Sequence, residues 1–297
     1  MNRARFVSVG GVHAGLTAML LLLALATAAR ADDGPRRVIA AGGSAAEIVF
    51  ALGQGDRLIA RDTTSSFPQA VLDLPDVGYV RRLSPENLIA MEPDLILAEH
   101  DAGPPETIEI LTRAGVPMVI LPEARTPADV LAKIGLTAQA LGLPEAGAQL
   151  LARTQSDLDA AAQAAASLPA RPRVMFVLSL QGGRILAAGS DTSAAAMIAL
   201  AGGVNAVEGF IGYKPLTDEA AIAAAPDVIL AMDRGGDMAV EADELLAHPA
   251  LALTPAAQRA QVVRMDGLYL LGFGPRTGAA ALELNTALRA VIPAGRG

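Results

Sequence analysis

The sequence predicts an α/β protein made of two Rossmann-like lobes with parallel-type sheets. A long rigid backbone helix joins the lobes and a ligand cleft lies between them. Three observations predict this: a 16-residue internal repeat, a strand–turn–helix echo flanking each copy, and a long Ala- and Leu-rich stretch between the halves.

The elements follow in chain order. Residues 1–31 carry Arg3 and Arg5, an apolar run from Leu16 to Ala26, and the small-residue exit Ala29-Arg30-Ala31. This is the layout of a cleavable secretory signal, with cleavage expected after Ala31 and release into the periplasm. The apolar run is shorter than the roughly 20 residues a spanning helix needs, so stable membrane insertion is not expected; an uncleaved anchor is the alternative. The chain has no cysteine, which excludes a lipidated cysteine and a disulfide framework. Without residues 1–31 the chain keeps 20 basic and 31 acidic residues, a net charge of −11. Nucleic acid demands a basic face, so an acidic chain of this kind is not expected to bind it.

The expected boundaries are 32–142 for the N-terminal lobe, 143–170 for the inter-lobe helix and 171–297 for the C-terminal lobe. Val38–Gly53 reads as an apolar strand, a glycine turn and an Ala-rich helix ending in glycine. Residues 83–98, LSPENLIAMEPDLILA, align without gaps on residues 216–231, LTDEAAIAAAPDVILA, with 9 of the 16 positions identical. Each copy opens on a capping hydroxyl, Ser84 or Thr217, two residues before Glu86 or Glu219. A short helix follows, then a Pro-Asp turn at Pro93-Asp94 or Pro226-Asp227, then an apolar run suited to a buried parallel strand. Thr126-Pro127 fits the cap and first position of a helix. Pro144 to about Leu168 is long enough for one helix of about six turns, stopped by Pro169 and Pro172; Gly135 and Gly147 weaken the helical pattern. Val174–Leu178 begins the second lobe, and Ile185–Gly202 repeats the strand–turn–helix echo. A single doubly wound sheet with one long crossover is the alternative architecture.

At this point the sequence resembles a known family. The runs Asp62-Thr63-Thr64-Ser65, Gly78-Tyr79-Val80-Arg81-Arg82-Leu83-Ser84 and Ala102-Gly103-Pro104-Pro105 resemble the haem-binding proteins of bacterial haem ABC importers. In the second half Ala187-Ala188-Gly189-Ser190-Asp191-Thr192 and Gly212-Tyr213-Lys214-Pro215-Leu216 fit the same family. The Pro-Asp repeat is shared with the wider superfamily of siderophore and cobalamin carriers, whereas the Gly-Tyr-x-Arg-x-Leu-Ser stretch points to haem.

The resemblance implies haem as the transported ligand, no catalytic cofactor and no enzymatic activity. It assigns the axial iron ligand to Tyr79 and its support to Arg81. The chemistry gives that pairing a reason. Ferric haem accepts a phenolate as axial ligand, a free tyrosine has a pKa of about 10, and a neighbouring guanidinium favours the ionised oxygen. Arg82 and Lys214 are propionate candidates, with Tyr213 beside Lys214 on the opposite cleft wall. His100, after the strand Leu95–Ala98, is the candidate second ligand. Relatives that carry a histidine in the loop after the second lobe's first strand differ here, because that loop reads Leu178-Ser179-Leu180-Gln181-Gly182-Gly183; one haem is therefore expected. His248, next to Pro249, and Arg184 read as surface residues, and Tyr269 as core or wall. Gly42-Gly43-Ser44 at a helix start could hold an anion, but the motif is too short to claim a phosphate site.

The expected partners are a permease dimer with its ATPase and an upstream haem donor, with the chain itself a monomer. By resemblance, Glu86 and Glu219 dock the two lobes against that permease; the alternative is that they are ordinary helix N-terminal glutamates complementing the dipole. The rival functions are a cobalamin or siderophore carrier of the same fold, a haem-dependent enzyme, and an interaction module without ligand. The absence of Trp and the scarcity of other aromatics weigh against the first. The second lacks a distal acid/base beyond His100, and no GxGxxG, HExxH or hydrolase elbow is present. The third would leave the Tyr-Arg motif unexplained.

Overall fold

A computed structural model describes residues 34–233 and 240–292; the signal segment expected at 1–31 lies outside them. The first lobe runs β1 (Val38–Ala41), α1 (Gly43–Ala51), β2 (Leu58–Arg61), α2 (Pro85–Ala90), β3 (Leu95–Ala98), α3 (Pro105–Arg113), β4 (Met118–Ile120) and α4 (Pro127–Ala140). Its four strands pair in parallel in the order β2-β1-β3-β4. The apolar runs of β1 and β3 are buried at every position, as strands covered on both faces must be.

Helix α5 (Pro144–Ala166) then crosses to the second lobe. That lobe comprises β5 (Arg173–Gln181), β6 (Arg184–Ala188), α6 (Ser193–Leu200), β7 (Val204–Asn205), β8 (Tyr213–Leu216), α7 (Asp218–Ala224) and β9 (Val228–Asp233). It ends with α8 (Ala242–Ala247), α9 (Pro255–Gln258), β10 (Val262–Asp266), α10 (Gly267–Leu271) and α11 (Thr277–Val291). The second sheet has the order β10-β9-β5-β6-β8, with β7 on β5. Strands β10, β9 and β5 are parallel, and β5, β6 and β8 form an antiparallel meander. The meander begins at Gly182-Gly183, both at positive φ (59° and 74°), a two-residue turn whose twist matches a hairpin.

The repeat survives at the level of the backbone. Glu92 and Ala225, equivalent in the alignment, both end their helices at positive φ (48° and 41°). Asp94 accepts the backbone N–H groups of Arg36 and Arg37 at 2.8 Å, and Asp227 accepts that of Arg173 at 3.0 Å. The arginines then reach equivalent carbonyls: Arg37 donates to Met91 at 2.6 Å and Arg173 to Ala224 at 3.2 Å. Each Pro-Asp turn therefore staples the start of its lobe's central strand to the end of the repeat helix.

Helix α5 buries Gly147, Leu150, Thr154, Leu158 and Ala161, one stripe at helical spacing. The stripe joins core residues of both lobes, Ile134 and Ala138 on one side and Leu284 and Leu288 on the other, in one continuous core. A Cβ on Gly147 would lie 2.5 Å from the Ala138 Cβ, so α4 and α5 approach closely only because residue 147 is glycine. Such packing makes α5 a stiff spine between the lobes.

Candidate functional site

The cleft opens where the strands of both sheets end, the usual ligand position in an α/β fold. Gly42, Thr63, Glu99 and Glu123 follow the carboxyl ends of β1 to β4, and Asp233 and Asp266 close β9 and β10. The cavity is about 560 Å³, within the range of small-molecule sites.

Tyr79, Arg81 and His100 all line it. Tyr79 leads into a single 3₁₀ turn, Val80–Arg82, which folds Arg81 back over the tyrosine. Arg81 donates one N–H to the Tyr79 hydroxyl oxygen and pairs through another with Asp101, its guanidinium 5.7 Å from the phenol ring centroid. Burial works against the Arg81 charge, but Asp101 and Tyr79 outweigh it and hold its pKa above the ordinary value. This end of the cleft therefore presents a phenol oxygen beside a fixed cation. His100 is exposed, with Nε2 3.5 Å from Glu123.

The remaining candidates lie elsewhere. Arg82 is exposed and outside the lining. Lys214, on the edge strand β8, sits 5.8 Å from the Phe210 ring centroid and outside the lining. Tyr213 packs edge-on against Phe176 at 6.3 Å between centroids. It keeps 36% of its surface exposed, yet desolvation raises its pKa. Hydrogen bonds to Ala194 and Thr192 and the charges of Arg81 and Arg125 oppose that rise. Tyr213 therefore stands at the cleft rim rather than in its wall. Glu86 and Glu219 are exposed in the first turns of α2 and α7, whose caps Ser84 and Thr217 accept from Asn87 and Ala220 at 3.3 and 3.2 Å. The Glu86 carboxyl is held below its usual range by its own backbone N–H and the Ser84 hydroxyl.

Several further residues shape the site. Lys133, 2% exposed within α4, donates to Ser44 Oγ at 2.9 Å and Glu99 Oε2 at 3.0 Å, while Ser44 also donates to Glu99. The anion at the Gly42-Gly43-Ser44 turn is thus the chain's own Glu99. Asp62 is fully buried and accepts from Thr64 N, Thr64 Oγ1 and Ser65 Oγ at 3.0, 2.8 and 2.8 Å. Burial raises its pKa against those bonds, and the bonds fix the loop that brings Thr63 and Thr64 to the cleft. Behind the cleft Arg276 of the second lobe grips the buried Glu47 of the first through Nε and Nη2 at 3.0 and 2.9 Å. Its guanidinium lies 3.6 Å from the Phe67 ring centroid and 4.9 Å from that of Tyr269. His248, expected at the surface, is buried, its Nε2 2.9 Å from the Gly183 carbonyl oxygen.

The family described as "Periplasmic binding protein" matches residues 38–268. A solved structure of the periplasmic heme-binding protein BhuT in complex with two hemes is 46% identical, covers 86% of this chain and 98% of its own, and superposes with a TM-score of 0.82. The periplasmic heme-binding protein RhuT from Roseiflexus sp. RS-1, in apo form, is 38% identical over 87% of this chain and 99% of its own, with a TM-score of 0.83. A Vitamin B12-binding protein of Vibrio campbellii is 25% identical over 71% of this chain and 76% of its own.

Proposed function

The chain belongs to the periplasmic binding protein family, and from that premise we propose that it captures ferric haem in the cleft and delivers it to an ABC importer without chemical change. The observation that carries this reading is the Tyr79–Arg81–Asp101 arrangement facing the cavity. Tyr79 is the axial iron ligand. Arg81 donates to the phenol oxygen and is itself held in position by Asp101. Leu268 and Leu271 supply apolar cover for the porphyrin, and His100, which also lines the cavity, is the candidate second ligand. One haem is bound, as expected from the second lobe's lack of a cleft histidine.

Similarity supports haem over cobalamin: the two solved haem binders share 46% and 38% identity with this chain, the cobalamin binder 25%. In this reading residues 1–31 are a signal removed after Ala31. Residues 32–142 and 171–297 are the lobes and 143–170 the spine. Glu86 and Glu219, displayed at equivalent places of the repeat, meet a two-fold permease dimer driven by its ATPase. A packed spine implies small closure rather than a wide hinge. Calorimetric titration of the purified chain with ferric haem and with cyanocobalamin tests the ligand class. Saturable binding of haem alone is expected, and preferential binding of cobalamin would overturn the assignment.

A further inference from the structure

Neither Arg82 nor Lys214 reaches the cavity, which leaves the carboxylates of a porphyrin without the cations expected for them. Arg125 is outside the lining as well, but Glu123 and Ala124 just before it belong to the lining, which sets its guanidinium at the cleft mouth. Arg125, in the turn between β4 and α4, directs Nε and Nη2 to the two carboxylate oxygens of Glu123 at 2.9 and 2.5 Å. Its remaining edge, Nη1, pairs with Asp191 of the other lobe. Glu123 and Ala124 line the cavity from one side and Ser193, two residues past Asp191, from the other, so the Arg125–Asp191 pair spans the entrance.

Asp191 is a carboxylate fixed in place rather than a drifting surface charge. Its loop is tied down by Gly189 N–H to Gly212 at 2.9 Å, Ser190 N–H to Phe210 at 3.0 Å and Gly212 N–H to Ser190 at 2.9 Å. The residue itself sits at φ 60°, a conformation aspartate tolerates in turns. Its side chain stays 55% exposed and that of Arg125 27% exposed, so an incoming ligand can reach the pair. The charges of Arg81 and Arg125 both oppose the rise in the Tyr213 pKa.

We propose that Arg125 is the recognition group for a ligand carboxylate, and that Asp191 occupies its free edge until a haem propionate displaces it. The inference rests on the haem reading. The exchange is carboxylate for carboxylate at one guanidinium, so no charge is left unpaired on Arg125. Asp191, being exposed, returns to water. The pair thereby acts as a bar across the empty cleft that the correct ligand lifts.

The test compares ferric haem with ferric haem dimethyl ester, whose propionates are blocked, on the wild-type chain, Arg125→Gln and Asp191→Asn. Arg125→Gln should weaken haem binding about 10- to 100-fold, as loss of a hydrogen bond to a charged group does, with little effect on the ester. Asp191→Asn should strengthen haem binding several-fold by removing the competitor, again with little effect on the ester. Equal weakening of haem by both variants would show a latch that binding requires and would overturn the proposal. Unchanged haem affinity in Arg125→Gln would also overturn it, leaving the haem reading intact. Failure of the wild-type chain to bind haem would remove both.

Discussion

Replacing Arg276 with alanine tests how the lobes are held together. Glu47 has a side chain only 5% exposed, and Arg276 supplies two of the hydrogen bonds to its carboxylate. The backbone N–H of residue 276, at 3.3 Å from Glu47 Oε1, would survive the change. Breaking a buried ion pair from one side costs about 3–5 kcal/mol because a charge is left uncompensated. Loss of the contact with Phe67 adds about 0.5–1 kcal/mol, and the surviving amide returns part of the cost. The expected destabilisation is therefore about 3–4 kcal/mol, a fall in Tm of roughly 6–16 °C for a chain of this size. The double variant Glu47→Leu/Arg276→Met removes both charges and should lie within about 1–2 kcal/mol of wild type. Urea unfolding followed by circular dichroism measures this directly, the chain having no Trp. A cost below about 1 kcal/mol for Arg276→Ala, or no recovery in the double variant, would refute the idea that a buried pair ties the lobes.

Other outcomes follow from particular contacts. Gly135 and Gly147 both lie inside helices, but a Cβ at 135 meets nothing within 4 Å, whereas at 147 it meets Ala138 at 2.5 Å. Gly135→Ala should raise stability by about 0.5–1 kcal/mol, and Gly147→Ala should lower it by about 1–2 kcal/mol net of the same propensity gain; thermal melts of the two read the sign. Thr126 accepts from the Asp129 N–H at 3.2 Å while Asp129 accepts from the Thr126 N–H at 2.9 Å, and Thr126→Ala should cost about 1 kcal/mol in urea unfolding. Bonds to Thr126 and to the Arg125 backbone hold the Asp129 carboxyl below its usual range. Its contribution is therefore complete above the ordinary aspartate pKa of about 3.9 and disappears as pH falls through the lower folded value. The stability difference between wild type and Asp129→Asn, present at pH 7, should shrink in melts below that range. Glu86→Lys/Glu219→Lys should abolish importer-dependent haem uptake and leave haem affinity unchanged; a parallel loss of haem affinity would mark the two glutamates as structural.

Much of the architecture was legible because it is written locally. The repeat at 83–98 and 216–231, the cap at Thr126 and the uninterrupted helix from Pro144 each depend on neighbours a few residues apart. The antiparallel meander departs from the parallel-type sheet expected for the second lobe; its only local signal is Gly182-Gly183, a pair suited to a hairpin turn, and the pairing of β6 with β8 depends on residues about 30 apart. At the cleft, Tyr79, Arg81 and His100 were legible from short motifs. Lys133 with Glu99 was not, since a lysine on a helix reads as solvated until a partner 34 residues away is placed beside it. Glu47 and Arg276 are separated by 229 residues, and Arg125 meets Asp191 only across the cleft between the lobes. Lys214, a propionate candidate from sequence, lies on the antiparallel edge strand β8 and outside the cavity lining.

Whether Tyr79 binds haem iron is decided by absorption titration of the purified chain and of Tyr79→Phe with ferric haem. Saturation at one equivalent with a tyrosinate-type high-spin spectrum is expected, and its loss in Tyr79→Phe, where the ring is kept and the oxygen removed. An unchanged spectrum and affinity in the variant would contradict it and move the iron ligand to His100 or another residue.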